Sequence, residues 1–158
     1  MVQTLYALLA IMIVTTFSLS QRSVMFRNQY AAIVNDLDMM GTGIATEQLD
    51  FIASKPFDSN YPAANFSALT PPSGFGLGSA DYASSLDIDD FHNKSLALKV
   101  PAYDDSISFT VDVQVQYVDK VGSAFTPHSS QTGFKEIQVT VNGENMSTVT
   151  MSRVLAYH

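Results

Sequence analysis

The 158-residue sequence contains no cysteine and no tryptophan. Without cysteine there are no disulfides and no thiolate metal sites, and the redox state of the compartment leaves no mark on the chain. No Asp, Glu, Lys or Arg occurs before Arg22, and no proline before Pro56. Basic residues are scarce throughout: 8 Lys and Arg against 15 Asp and Glu give a net charge of −7, with nearly all the acids from Glu47 onward. No basic patch can neutralise a run of phosphates, so nucleic acid is not an expected partner. A nucleophile elbow, a phosphate loop and paired metal-ligand spacing are also missing, and His92, His128 and His158 stand apart from one another. The sequence therefore predicts no enzyme, no catalytic residue and no cofactor site.

What is present begins with residues 1–19, MVQTLYALLAIMIVTTFSL. Such a run is long enough to cross a bilayer, because about 20 residues at a helical rise of about 1.5 Å span a core of about 30 Å. A secretory signal peptide would carry a basic start and a small-residue cleavage site after a shorter apolar core. Here nothing basic precedes the run, and a helical hydrophobic rhythm continues from Arg22 to about Lys55. A plain anchor would place Arg22 and Arg27 in the cytoplasm together with everything that follows. The reading preferred here is that a short basic leader preceding Met1 is removed, so that the rest of the chain faces outward. A single rod of roughly 55 residues would be about 80 Å long, more than a domain of this size can cover by itself.

Between residues 30 and 51 the positions Tyr30, Val34, Leu37, Gly41, Ile44, Gln48 and Phe51 recur at spacings of 4 and 3, flanked by Ile33, Met40 and Ile52. They predict one buried stripe, backed by Asn35, Asp36, Asp38, Glu47 and Asp50. Gly41 and Gly43 predict a bend or a close approach, and Pro56 predicts the helix end near Ser54. From Pro56 to about Ser85 a Pro, Gly, Ser and Asn-rich segment reads as a loop, anchored by Phe57, Tyr61, Phe66, Leu69, Phe75 and Leu77. Ile107, Phe109, Val111, Val113, Val115 and Tyr117 then alternate with polar residues, as do Ile137, Val139 and Val141. These predict antiparallel strands, with a shorter one around residues 96–100, an Asn142-Gly143 hairpin turn, and a final strand carrying Val149, Met151, Leu155 and Tyr157. The expected class is α+β: a long N-terminal helix packed on a C-terminal antiparallel sheet domain. Residues 1–55 form the helical rod (1–21 the membrane or filament-core segment, 22–55 the amphipathic half). Residues 56–158 form the β-rich head, loop-rich over 56–106 and stranded over 107–158.

This plan resembles that of type IV pilins and pseudopilins. ATEQLDFIASKPFDS, residues 45–59, is similar to the end of the long helix in minor pilins and pseudopilins, and FKEIQVTVNGENMSTVTMSRVLAYH, residues 134–158, to their closing hairpin. DIDDFHNKS, residues 87–95, is similar to an acidic turn of some minor pilins. The resemblance implies a structural subunit of an extracellular type IV pilus-like filament, polymerising with itself through its N-terminal helices. It implies processing and N-methylation at Met1, passage through the inner membrane as a precursor, and handling by pilus assembly machinery. The assembly surface it implies comprises Val2, Leu5, Leu8, Leu9, Met12, Ile13 and Phe17, continuing along Tyr30, Val34, Leu37, Gly41 and Ile44. The chain departs from the family at Leu5, where pilins usually carry a glutamate that neutralises a neighbour's N-terminal amine; Gln3 and Thr4 offer only hydrogen bonds. No proline stands near residues 14–22, where Thr15, Thr16, Ser18 and Ser20 are weaker helix formers able to bond to backbone carbonyls. Two alternatives remain: a minor pseudopilin of a type II secretion-like machine, and a monomeric membrane-anchored adhesin or binding module.

One cluster has the alternation of hard-cation sites: Asp87, Asp89 and Asp90, with Asp81 nearby and Asp104 and Asp105 later. It lacks the glycine and terminal glutamate of an EF-hand loop, so the expectation is a solvated turn, with Ca²⁺ as the alternative. Asn65, Asn93 and Asn145 each begin an Asn-x-Ser sequon, which matters only where a glycosylation system acts.

Overall fold

The computed structural model describes residues 2–60, 65–102 and 105–157. Met1, with the processing and methylation expected there, lies outside the described residues, as do Tyr61, Asp104 and His158. The chain divides into two compact units, Met1–Leu37 and Asp38–His158.

A single helix, α1 (Val2–Ala53), carries the chain from the apolar start into the second unit. No break occurs where Thr15 and Thr16 stand. Thr15 Oγ1 donates to the carbonyl of Ile11 (2.7 Å) and Thr16 Oγ1 to that of Met12 (2.9 Å), so both hydroxyls are satisfied inside the helix. The helix ends within a residue of the expected point, with Ser54 N still donating to Asp50 O (3.0 Å) before Pro56.

Within the second unit the buried face of α1 consists of Gly41, Ala45, Leu49 and Ile52. The predicted stripe is thus displaced by one position over its last two turns: Ala45 and Leu49 are buried where Ile44 and Gln48 were expected. Gln48 and Phe51 instead flank the buried line. Gln48 Oε1 accepts from the Tyr82 hydroxyl at 2.8 Å, and Phe51 packs edge-on against Phe91 with centroids 6.0 Å apart. The helix runs unbroken through both glycines. Gly41 is a close approach: a Cβ there would lie 2.5 Å from Met146 Cε, whereas one on Gly43 would meet nothing within 4 Å.

The sheet is antiparallel, in the order β1 (Lys94–Ala102), β2 (Asp105–Val121), β4 (Phe134–Gly143), β5 (Val149–Ala156), with β3 (Ala124–Pro127) folded back on the far end of β2. Phe109, Val111, Val113, Val115 and Tyr117 of β2 and Ile137, Val139 and Val141 of β4 are buried, as period-2 alternation predicts. Asn142-Gly143 is not the hairpin turn. Both residues remain in β4, paired with Thr110 and Phe109, and the chain reverses after them. There Asn145 takes the left-handed conformation at φ 58, which asparagine tolerates better than most residues. Between helix and sheet the loop winds through four short 3-10 turns at 66–68, 72–74, 82–84 and 89–91. Phe57, Leu69 and Phe75 anchor it in the core as expected, whereas Phe66 and Leu77 are exposed.

Candidate functional site

Two features stand out, one at each end of the polarity scale. The first is the apolar surface of α1 in the first unit. Val2, Leu5, Leu8, Leu9, Met12, Ile13 and Phe17 are all exposed, Leu5 by 66 %. This helix is long and apolar enough to cross a membrane. Of the residues expected to continue the surface, Tyr30 is exposed, Val34 and Ile44 are half-buried, and Leu37 and Gly41 are buried. Gly41 is therefore corrected: the space where a neighbouring helix would approach it is taken up inside the second unit by Met146.

The second feature is a buried ionic cluster. Asp58 follows the end of α1 by five residues, just past Pro56. Its carboxylate is held by three donors: Asn60 N (2.9 Å), Thr70 N (2.7 Å) and Thr70 Oγ1 (3.1 Å). Asp89 opens the last 3-10 turn, where its carbonyl accepts from Gly76 N (2.8 Å) and His92 N (3.2 Å). Lys135 enters from β4. Two residues before Ile137, it shares the inward parity of that strand and has no solvent exposure. Its Nζ donates to Phe57 O (2.7 Å), lies 3.3 Å from Asp58 Oδ2 and touches Asp89 Oδ1 directly. The rings of Phe57, Tyr117 and Phe75 wall it in, their centroids 4.3, 5.1 and 5.4 Å from Nζ. The Tyr117 hydroxyl is fixed by donating to Thr70 O at 2.9 Å.

The expectation of a solvated acidic turn is overturned. Asp87, Asp89 and Asp90 are all buried, because the turn packs beneath the loop and over Lys135. Asp90 is directed elsewhere: its Oδ2 accepts from Leu86 N at 2.9 Å and its Oδ1 presses on Gly78, where a Cβ would come within 2.0 Å. Oxygens of Asp58, Asp87 and Asp89 converge instead, within 4.8 Å of one another. Three carboxylates at that spacing could serve a divalent cation, but the Lys135 ammonium already lies against two of them. An ammonium and a Ca²⁺ seeking 6–8 oxygens cannot share those atoms, so the residues present fit the lysine and not the metal.

The two carboxyls facing Lys135 differ in protonation. Burial pushes Asp89 up to about 8, with hydrogen bonding to Asp58 and repulsion from its charge adding to that, only partly offset by Lys135. Burial also acts to raise Asp58, but the N–H donors of Asn60 and Thr70, together with Lys135, outweigh it and hold that carboxyl below the ordinary value. At neutral pH Asp58 is thus the carboxylate and Asp89 keeps a proton, so one cation faces one anion. Asp89 Oδ2 is buried and has no hydrogen-bond partner among the described residues.

His92, on the margin of this region, accepts from Val115 N through Nδ1 at 3.1 Å, and burial lowers its pKa. Comparison with family models, with curated proteins and with solved structures finds no match.

Proposed function

We propose that this chain is a structural subunit of an extracellular type IV pilus-like filament, held in a membrane before assembly and polymerising through α1. The observation that supports this reading most is the bare apolar surface of the first unit. Each Leu, Ile or Phe left in water forgoes roughly 1.5–3 kcal/mol of burial free energy. A monomer does not carry such a row uncovered; lipid covers it first and the helices of neighbouring copies afterwards. Burial is exchanged, not lost, so assembly need supply only the difference between lipid and helix packing. The acidic, largely polar exterior of the second unit then faces solvent on the outside of the filament.

The test is electron microscopy of filaments sheared from cells expressing the chain, with the subunit identified by peptide mass. Abundant uniform filaments built of this chain are the expected result. Trace amounts within filaments of another protein would make it a minor, pseudopilin-like component. A chain that stays monomeric in the membrane fraction would overturn the reading in favour of an anchored binding module.

A further inference from the structure

We propose that Lys135 and Asp89 become joined by an intramolecular amide bond, from Nζ of the lysine to Cγ of the aspartate, with Asp58 moving the protons. Lys135 Nζ already touches the Asp89 carboxyl, and Asp58 Oδ2 is 3.3 Å away on an arm locked by three hydrogen bonds. Three aromatic rings enclose the site. Ordinarily a lysine and an aspartate form a salt bridge because water stabilises both charges. Here neither side chain is solvated, and the buried Asp89 Oδ2 has no hydrogen-bond partner among the described residues. The enclosure withholds the water that would keep the pair ionic, and Asp58 Oδ2 is placed to take the proton that the ammonium must give up before its nitrogen can attack. The uneven protonation of the two aspartates assigns the roles: the acid that keeps its proton is the electrophile, and the acid that stays ionised is the base.

The step balances without any further reactant. Asp58 takes a proton from the Lys135 ammonium, and the freed lone pair attacks Cγ of Asp89, forming the C–N bond. Asp58 returns its proton to the Asp89 hydroxyl as the C–O bond breaks, and takes up a proton from the nitrogen. One water leaves. The products are a secondary amide, water and a neutral Asp58 able to donate to the new carbonyl. Buried charge is removed from the core, and nothing is oxidised or reduced. The bond would tie β4 to the 3-10 turn 46 residues earlier in the chain.

Tryptic digestion of the purified full-length chain, followed by tandem mass spectrometry, tests this. The expected product is a branched peptide in which the segment containing Asp89 is joined to the one containing Lys135, lighter by one water than the sum of the two, with no cleavage after Lys135. Two separate linear peptides, one ending at Lys135 and the other carrying an unmodified Asp89, would overturn the proposal. A branch at Asp58 would overturn the assignment of roles. Lys135→Arg, which keeps the charge but cannot condense in this way, must lack the branch. Asp58→Asn is expected to slow its appearance about tenfold or more, as loss of a proton-transfer group does. If Asp58→Asn links as fast as the wild type, Asp58 is not the shuttle, and the mass of the wild-type chain still decides the bond itself.

Discussion

A lysine without solvent must find every acceptor inside the fold, and Lys135 finds three: a backbone carbonyl and two carboxyls. Replacing it by methionine keeps the volume and leaves Asp89 as a free, buried acid with no cation beside it. Burial, the largest cause of its raised pKa, then acts unopposed by Lys135. Between its unfolded value of 3.8 and about 8 the folded protein holds a proton that the unfolded chain releases, so the stability Asp89 contributes is lost as pH rises through that window. Asp58 has the opposite sign: its depressed pKa contributes stability above 3.8 that is lost as pH falls below it. The thermal stability of Lys135→Met should therefore fall steadily as pH rises from about 4 through about 8 and beyond, while the linked wild type, whose Asp89 is an amide, lacks that slope. Parallel slopes in the two proteins would mean that Asp89 titrates in both. Part of this site was legible beforehand. The alternation of Ile137, Val139 and Val141, run back one step, places Lys135 on the inward face. Its charge hid it, since lysines rarely occupy such positions. Asp58 and Asp89 were not legible as its partners, because they lie 77 and 46 residues away and no periodic pattern links a loop to a strand.

At the scale of elements, α1 shows what periodicity can and cannot resolve. The helix, its end near Ser54 and its polar back followed from the sequence, but the buried line runs through Ala45 and Leu49, one residue beyond Ile44 and Gln48. A sheet packs closely where a helix presents small side chains, and alanine gives no hydrophobic signal strong enough to show this. The two glycines separate the same way. Gly43→Ala places a methyl in open space and should stabilise by up to about 1 kcal/mol, through helix propensity alone. Gly41→Ala gains the same propensity but must move the terminal methyl of Met146, the far end of a flexible and half-buried side chain, which takes back part of the gain. Melting of the two variants in detergent should place Gly43→Ala above the wild type and Gly41→Ala below Gly43→Ala; equal gains would mean that Met146 yields freely. The closing hairpin was anticipated, but its turn was not. Asn142 and Gly143 continue the ladder with β2, and the longer partner strand takes precedence over a favourable turn pair.

At the scale of the whole molecule, composition is partitioned: no charge occurs before Arg22, the first unit is net +1, and the second carries −8. An ammonium placed in the apolar stretch should therefore act on assembly and not on the fold of the sheet. If the chain polymerises as proposed, Leu5→Lys is expected to cut filament yield sharply, since an ammonium enclosed among apolar helices must find a partner or reach solvent. Leu5→Ile should leave the yield unchanged. Wild-type yield from both Leu5→Lys and Leu5→Asp would show that this position is not enclosed. The clamp on the segment after α1 has a mechanical side. Tension drawn along the helix would leave it at Ala53 and reach the sheet within five residues. There Pro56 O is gripped by Ile88 N at 3.1 Å, Phe57 O by Lys135, and Asp58 by both ends of the loop it closes. These fastenings would anchor three consecutive residues where the load arrives. With a covalent tie from Lys135 to Asp89 behind them, a pull that frayed hydrogen bonds would still meet an inextensible ring between β4 and the acidic turn.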